Sequence, residues 1–269
     1  MAYWTDKVAV VTGGSAGLGR VLSESLAAVG ARVVLAARNT ERLQRAVNEI
    51  TEQGYTALGV PTDVTSDAHV AALMERTIAE YGRIDVLINS AGCSDRGHAL
   101  ETPPERFQEL WELNFLATVR CCRAATPHLI HARGHLVNVG SLASKTASQL
   151  LGAYPASKFP VAAYSQQLRY ELGPQGVSVL LVCPGPIARE DSGQRYNEQA
   201  SDLPTVANEP GAGVKLKRIP PARLAAKILQ ACQRRRPELV MPAKAKLLFA
   251  IAQLSPTMGD WLLKRLTSS

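Results

Sequence analysis

No C-x-x-C pair occurs among the five cysteines, Cys93, Cys121, Cys122, Cys183 and Cys232, and their number is odd. This argues against a disulfide framework or a zinc ribbon and makes a reducing compartment the expectation. No apolar stretch approaches the ~20 residues needed to cross a membrane. Residues 1–6 are too short and polar for a secretory signal, so a soluble, cytoplasmic chain is expected. The histidines His69, His98, His128, His131 and His135 show no H-E-x-x-H or other ligand spacing, and no carboxylate joins the His128/His131 pair at a useful offset. No metal is expected. The missing G-x-S-x-G elbow argues against an esterase. Cys183, in an apolar strand directly before Pro184, reads as a small buried residue rather than a nucleophile.

The 269 residues are 46% hydrophobic and 20% charged, ordinary for a globular chain and too apolar for a disordered one. The net charge of +7 is uneven. Residues 214–269 hold twelve Lys/Arg against Glu238 and Asp260, an excess of +10 that leaves −3 for the rest. So local an excess does not make the domain a nucleic-acid module; it points to whatever the C-terminal end touches.

Apolar, β-rich runs at 8–12, 32–36, 57–60, 84–89, 135–139, 177–182 and 239–241 alternate with helix-period segments at 18–29, 41–52, 67–81, 104–129, 154–172, 221–234 and 245–266. Continuous Val/Ile/Leu strands joined by helical crossovers predict an α/β fold, a doubly wound, mostly parallel sheet with helices on both faces. Ligands bind such sheets at the carboxyl ends of the strands. With no repeat and no linker, 1–269 reads as one domain. Residues 184–221, rich in Pro and Gly, are too long for a simple connection and read as a substrate lid.

The first strand runs into Thr12-Gly13-Gly14-Ser15-Ala16-Gly17-Leu18-Gly19 and a helical pattern begins at once. Gly13 allows a sharp turn, Gly17 a close approach of backbone to a pyrophosphate, and Gly19 tight packing of helix on sheet. The spacing T-G-x-x-x-G-x-G resembles the short-chain dehydrogenase/reductase family. Asp63-Val64, Asn89-Ser90-Ala91-Gly92, Asn114, Ser141, Tyr154-Pro155-Ala156-Ser157-Lys158 and Pro184-Gly185 extend the resemblance over about two thirds of the chain. It implies a Rossmann fold and a nicotinamide cofactor held by Thr12, Gly13, Ser15, Gly17, Leu18, Gly19, Arg38, Asp63, Val64, Asn89, Ala91, Gly92, Tyr154, Lys158, Pro184, Gly185 and Ile187. Asp63 would bind near the adenine. It also implies a homo-oligomer, dimer or tetramer, built on the helix of Tyr154.

An NAD site wants a carboxylate at the end of the second strand; here Ala37 is followed by Arg38. A carboxylate would repel a 2′-phosphate and a guanidinium can hold one, so NADP(H) is expected over NAD(H). Tyr154 and Lys158 are four apart and share a helix face. A nearby ammonium would lower the phenol's pKa from ~10 and fit it for proton transfer. Ser141, at the end of the fifth run, could orient a substrate oxygen, though serine there is ordinarily a cap or turn residue. Asn114 is awkward inside a helix, and the resemblance gives it a relay water for Lys158. Together Asn114, Ser141, Tyr154 and Lys158 match the family's catalytic tetrad.

Two positions depart from the family. Ser90 replaces a usual Asn, and Arg189 stands where a Thr often binds the nicotinamide carboxamide, with Arg189-Glu190-Asp191 reading as a charged hinge. The segment 243–269 carries Leu247, Leu248, Phe249, Ile251, Leu254, Trp261, Leu262, Leu263 and Leu266 between lysines and arginines, broken at Ser255-Pro256. It reads either as helices packed on the body or a partner subunit, or as an interfacial membrane anchor to which Arg234-Arg235-Arg236 adds charge. The sequence thus reads as an NADP(H)-dependent oxidoreductase of a carbonyl or secondary alcohol, a small-molecule substrate that is hydrophobic and bulky, lipid-like or polycyclic. A non-catalytic NADP(H)-binding sensor or scaffold is the runner-up.

Overall fold

The computed structural model describes residues 3–188, 196, 199–200, 203–209, 211–212, 214 and 216–267. Seven strands form one parallel sheet: β1 (Val8–Thr12), β2 (Arg32–Ala37), β3 (Ala57–Pro61), β4 (Val86–Asn89), β5 (His135–Val139), β6 (Ser178–Pro184) and β7 (Glu238–Met241). Their order is β3-β2-β1-β4-β5-β6-β7, the Rossmann arrangement expected. Every residue of β1 and β6 is buried, as unbroken aliphatic strands require when helices cover both faces.

On one face α1 (Gly17–Ala28), α2 (Thr40–Thr51) and α7 (Pro221–Gln233) bury Leu22, Leu26, Leu43, Ile50, Leu224 and Ile228. On the other, α3 (Asp67–Tyr81), α5 (Ala117–Ala132) and α6 (Tyr154–Leu172) bury Val70, Leu73, Cys121, Leu129, Leu168 and Leu172. Strand order reverses between β1 and β4, so the crossover helices part there and leave a crevice above the strand ends.

The long helix expected over 104–129 is three pieces. α4 (Pro104–Trp111) and α5 are joined by a π-helical turn, Glu112–Leu116, that contains Asn114. β6 runs on to Pro184 because that residue pairs with Met241 of β7. The tail folds as α8 (Ala245–Leu254) and α9 (Pro256–Thr267), parted at Ser255 as the proline dictates.

Candidate active site

The carboxyl ends of the strands open into a cavity of about 820 Å³. The β1–α1 loop forms one wall. Gly13 and Gly17 adopt φ of +68° and +53°, conformations that L side chains rarely reach, and a Cβ on Gly19 would fall 2.4 Å from the Gly13 carbonyl. Ser15, Ala16, Gly17 and Leu18 face the cavity, and no side chain caps α1. The first-turn N–H groups are thus left for an anion. Such a wall fits a pyrophosphate.

Further along, Ala37, Arg38, Asn39 and Arg42 line the cavity beyond the end of β2. Asn39 caps α2 by accepting from Arg42 N at 2.7 Å, which brings a second guanidinium to the edge that Arg38 marks. Among the described residues no Asp or Glu lines the cavity, whereas Arg38, Arg42, Arg96, Lys158 and Lys244 do. Arg42 went unread in the sequence, although the Asn39 cap and the four-residue step from Arg38 could have found it.

Val64, Ala91, Gly92, Pro184, Gly185 and Ile187 also border the cavity, as does Ser90. Thr12, Asp63 and Asn89 do not. Thr12 Oγ1 accepts from Ser90 N and Ala91 N at 3.1 and 3.2 Å, tying the end of β1 to the next wall. The Asp63 carboxylate accepts from Thr65 N and Thr65 Oγ1, bonds that hold its pKa below the usual carboxylate range. Asn89 donates to Asn138 Oδ1 at 2.9 Å beneath the floor. All three brace the backbone or side chains next to the cavity. Arg189, Glu190 and Asp191 lie outside the described residues.

Ser141, Tyr154 and Lys158 meet in the cavity wall. Ser141 follows β5 and caps the turn Leu142–Ser144, its hydroxyl accepting from Ala143 N while its own N–H donates to Ser144 Oγ. The same hydroxyl lies close enough to the Tyr154 phenol to favour its ionised form. The cap therefore leaves Ser141 in the cavity wall. Tyr154 opens α6, and Lys158 follows one turn on, 6% exposed, its Nζ donating to the Val139 carbonyl at 3.1 Å. Ala153 N, just before the helix, donates to the buried Asp95 carboxylate, which Arg106 Nε holds at 3.0 Å. That brace fixes where α6 begins, and with it Tyr154.

Asn114 lies outside the cavity wall but governs it. Its Nδ2 donates to the Cys93 carbonyl and to Ser157 Oγ, both at 2.9 Å, and its Oδ1 accepts from Cys93 N at 2.9 Å. A Cβ on Gly92 would meet that oxygen at 2.6 Å. Both amide hydrogens are committed to protein, so the side chain clamps the 92–93 backbone to α6. The π turn is what aims it there.

The electrostatics correct one expectation. Lys158 was to acidify Tyr154; instead desolvation dominates and pushes the phenol up to about 12, only partly countered by Ser141. Burial lowers Lys158 to about 8. At neutral pH the pair is a protonated phenol above a largely protonated amine. Burial likewise pushes the Cys183 thiol up to about 12, in keeping with an inert residue.

Arg96 had no sequence signal. It is 6% exposed, stacks 3.6 Å from the Tyr196 ring centroid and donates to the Ala207 and Glu209 carbonyls, so it anchors described parts of the 184–221 segment to the cavity. Leu248, Phe249 and Leu263 of α8 and α9 close the same side. Among the described residues no group of three His, Cys, Asp or Glu could hold a metal ion.

A family model described as short chain dehydrogenase matches residues 7–200. The chain belongs to that family. This short chain dehydrogenase is 32% identical over 265 residues to the uncharacterized oxidoreductase YxnA of Bacillus subtilis, covering 97% of this chain and 72% of the relative. Among solved structures, L-sorbose reductase from Gluconobacter frateurii, complexed with NADPH and L-sorbose, superposes with a TM-score of 0.78 at 27% identity, over 88% of this chain and 95% of that one. A short chain dehydrogenase/reductase from Burkholderia phymatum in complex with NAD shares the fold at a TM-score of 0.81 and 24% identity, over 94% and 96%. The short chain dehydrogenase is thus an oxidoreductase whose fold binds a nicotinamide cofactor.

Proposed function

We propose that this short chain dehydrogenase is an NADP(H)-dependent carbonyl reductase that also oxidises the corresponding secondary alcohol. Relatives of the same fold carry either dinucleotide, so the choice rests on this chain's residues. The observation that carries it is a cavity with Arg38 and Arg42 at one end, no carboxylate in its described wall, and Ser141, Tyr154 and Lys158 further along. A 2′-phosphate is favoured by paired guanidinium donors and repelled by the acid an NAD site would place there.

The bound dinucleotide would supply a hydride to the carbonyl carbon. Ser141 orients the carbonyl oxygen, and Tyr154 gives it the phenolic proton. A phenol held protonated suits the donor role, hence reduction. Lys158 keeps a positive charge beneath that proton transfer, and Asn114 holds the 92–93 wall in register through Cys93. Leu142, Leu151, Val214, Leu216, Leu248 and Phe249 around the remaining space support a hydrophobic substrate. Phe159 and Tyr170, both exposed and about three turns apart on one face of α6, support self-association there.

The test is turnover of a panel of ketones and aldehydes with NADPH and NADH side by side, followed at the reduced-nicotinamide absorbance. NADPH should be favoured, and Arg38→Glu should lower its kcat/KM about 10–100-fold, the loss of one charge-assisted contact. Tight NADPH binding with no turnover on any substrate overturns the enzymatic reading.

A further inference from the structure

The helices α8 and α9 form a hairpin with two apolar sides. Gly259 brings them so close that a Cβ would fall 2.6 Å from Ala252 Cα. Inward, Phe249 packs with Val240, Cys183 and Val161, and Leu248 and Leu263 line the cavity. On the other side Leu247 and Leu254, seven apart on α8 and so on one face, are 68% and 87% exposed. Met258 and Trp261 of α9 are 53% and 49% exposed. Exposed large apolar groups gathered on one appended element mark an interaction surface.

The charges around it say what covers it. Lys246, Lys264 and Arg265 flank the apolar side chains, against one acid, Asp260. The Arg265 guanidinium lies 4.1 Å from the Trp261 ring centroid, a cation held over an indole, the pairing suited to a bilayer's polar boundary. A second copy seated here would bring like charges together, and an anionic lipid surface would not. The run Arg234-Arg235-Arg236 does not contribute, contrary to the sequence reading. It precedes β7 whereas the hairpin follows it, and Arg235 donates to the Gly176 and Arg133 carbonyls at the opposite end of the sheet.

We infer that the α8–α9 hairpin seats the protein on anionic bilayers through Leu247, Leu254, Met258 and Trp261, with its inner face opening the cleft to ketones dissolved in the membrane. No helix among the described residues is long and apolar enough to span; the contact is peripheral. The docking stands independently of the enzymatic reading, and only the substrate class rests on it.

Flotation of the full chain with phosphatidylserine-containing and with pure phosphatidylcholine vesicles tests the docking. Wild type should float with the anionic vesicles, less so as salt rises, and L254D/W261S should partition at least about tenfold more weakly while binding NADPH as before. Should that variant fold poorly, K246E/R265E must show the same loss. Equal flotation of wild type and variants, or none, overturns the inference. So does a wild-type dimer in sedimentation velocity that L254D/W261S dissolves. A long-chain ketone carried in the vesicles separates the two readings. Faster reduction by wild type than by L254D/W261S supports delivery, and equal rates remove the substrate class. If neither this ketone nor any water-soluble one is reduced, the enzymatic reading fails while the docking remains.

Discussion

Each end of the sheet buries a basic side chain, and only one of them meets open space. At the carboxyl ends, Lys158 stands beside Tyr154 in the wall of the large cavity. At the amino ends, His135 is 2% exposed, shares a 2.6 Å hydrogen bond with the Tyr3 hydroxyl and is walled in by Trp4. Nearby, Asp85 accepts from Val8 N and is paired with Arg83. Desolvation lowers both bases, Lys158 to about 8 and His135 to about 4, the latter with help from Arg235 and Lys7. A perturbed base therefore does not by itself mark a site; access to a cleft with a partner acid does.

The sharpest break between the ends should come from Tyr154→Phe. Single-turnover hydride transfer should slow on the order of 10³-fold with NADPH affinity nearly unchanged, whereas Tyr3→Phe at the other end should leave turnover alone. Next, Asn114→Leu strands the Cys93 N–H and carbonyl, so chemical denaturation should show a loss of about 3 kcal/mol together with reduced kcat.

Acid should act on the amino end. His135 is held neutral with a folded pKa below its unfolded value, so its stabilising effect is complete above about 6.5 and is lost as pH falls toward 4. Denaturation at pH about 7 and about 4.5 should differ by roughly 2 to 3 kcal/mol from this residue, a difference that His135→Phe abolishes. Alkali should act on the carboxyl end: reduction should decline by up to about tenfold per unit above pH 8 as Lys158 loses its proton, visible in a kcat/KM profile.

The carboxyl end was the more legible of the two. Glycine spacing, the Tyr154–Lys158 step and the strand runs are local patterns, and local geometry carried them into the fold. Asn114 was readable as anomalous but its π turn was not, because the extra residue is decided by bonds to Cys93 and Ser157 far along the chain. Thr12, Asp63 and Asn89 hold neighbouring backbone or side chains outside the cavity lining, and spacing reports neither which lone pairs are already spent nor what they are spent on. The Tyr3–Trp4–His135 cluster left no trace, being wholly a product of residues 132 apart meeting. Arg234-Arg235-Arg236 was assigned to the wrong end because charge counts ignore strand direction.

A described wall with several cations and no carboxylate also shapes how the protein behaves in solution. Its standing positive potential draws small polyanions whether or not they react. Phosphate and sulfate will therefore occupy the dinucleotide's place, and added electrolyte will blunt its capture. An added dinucleotide should therefore bind more tightly in dilute, phosphate-free buffer than in phosphate saline.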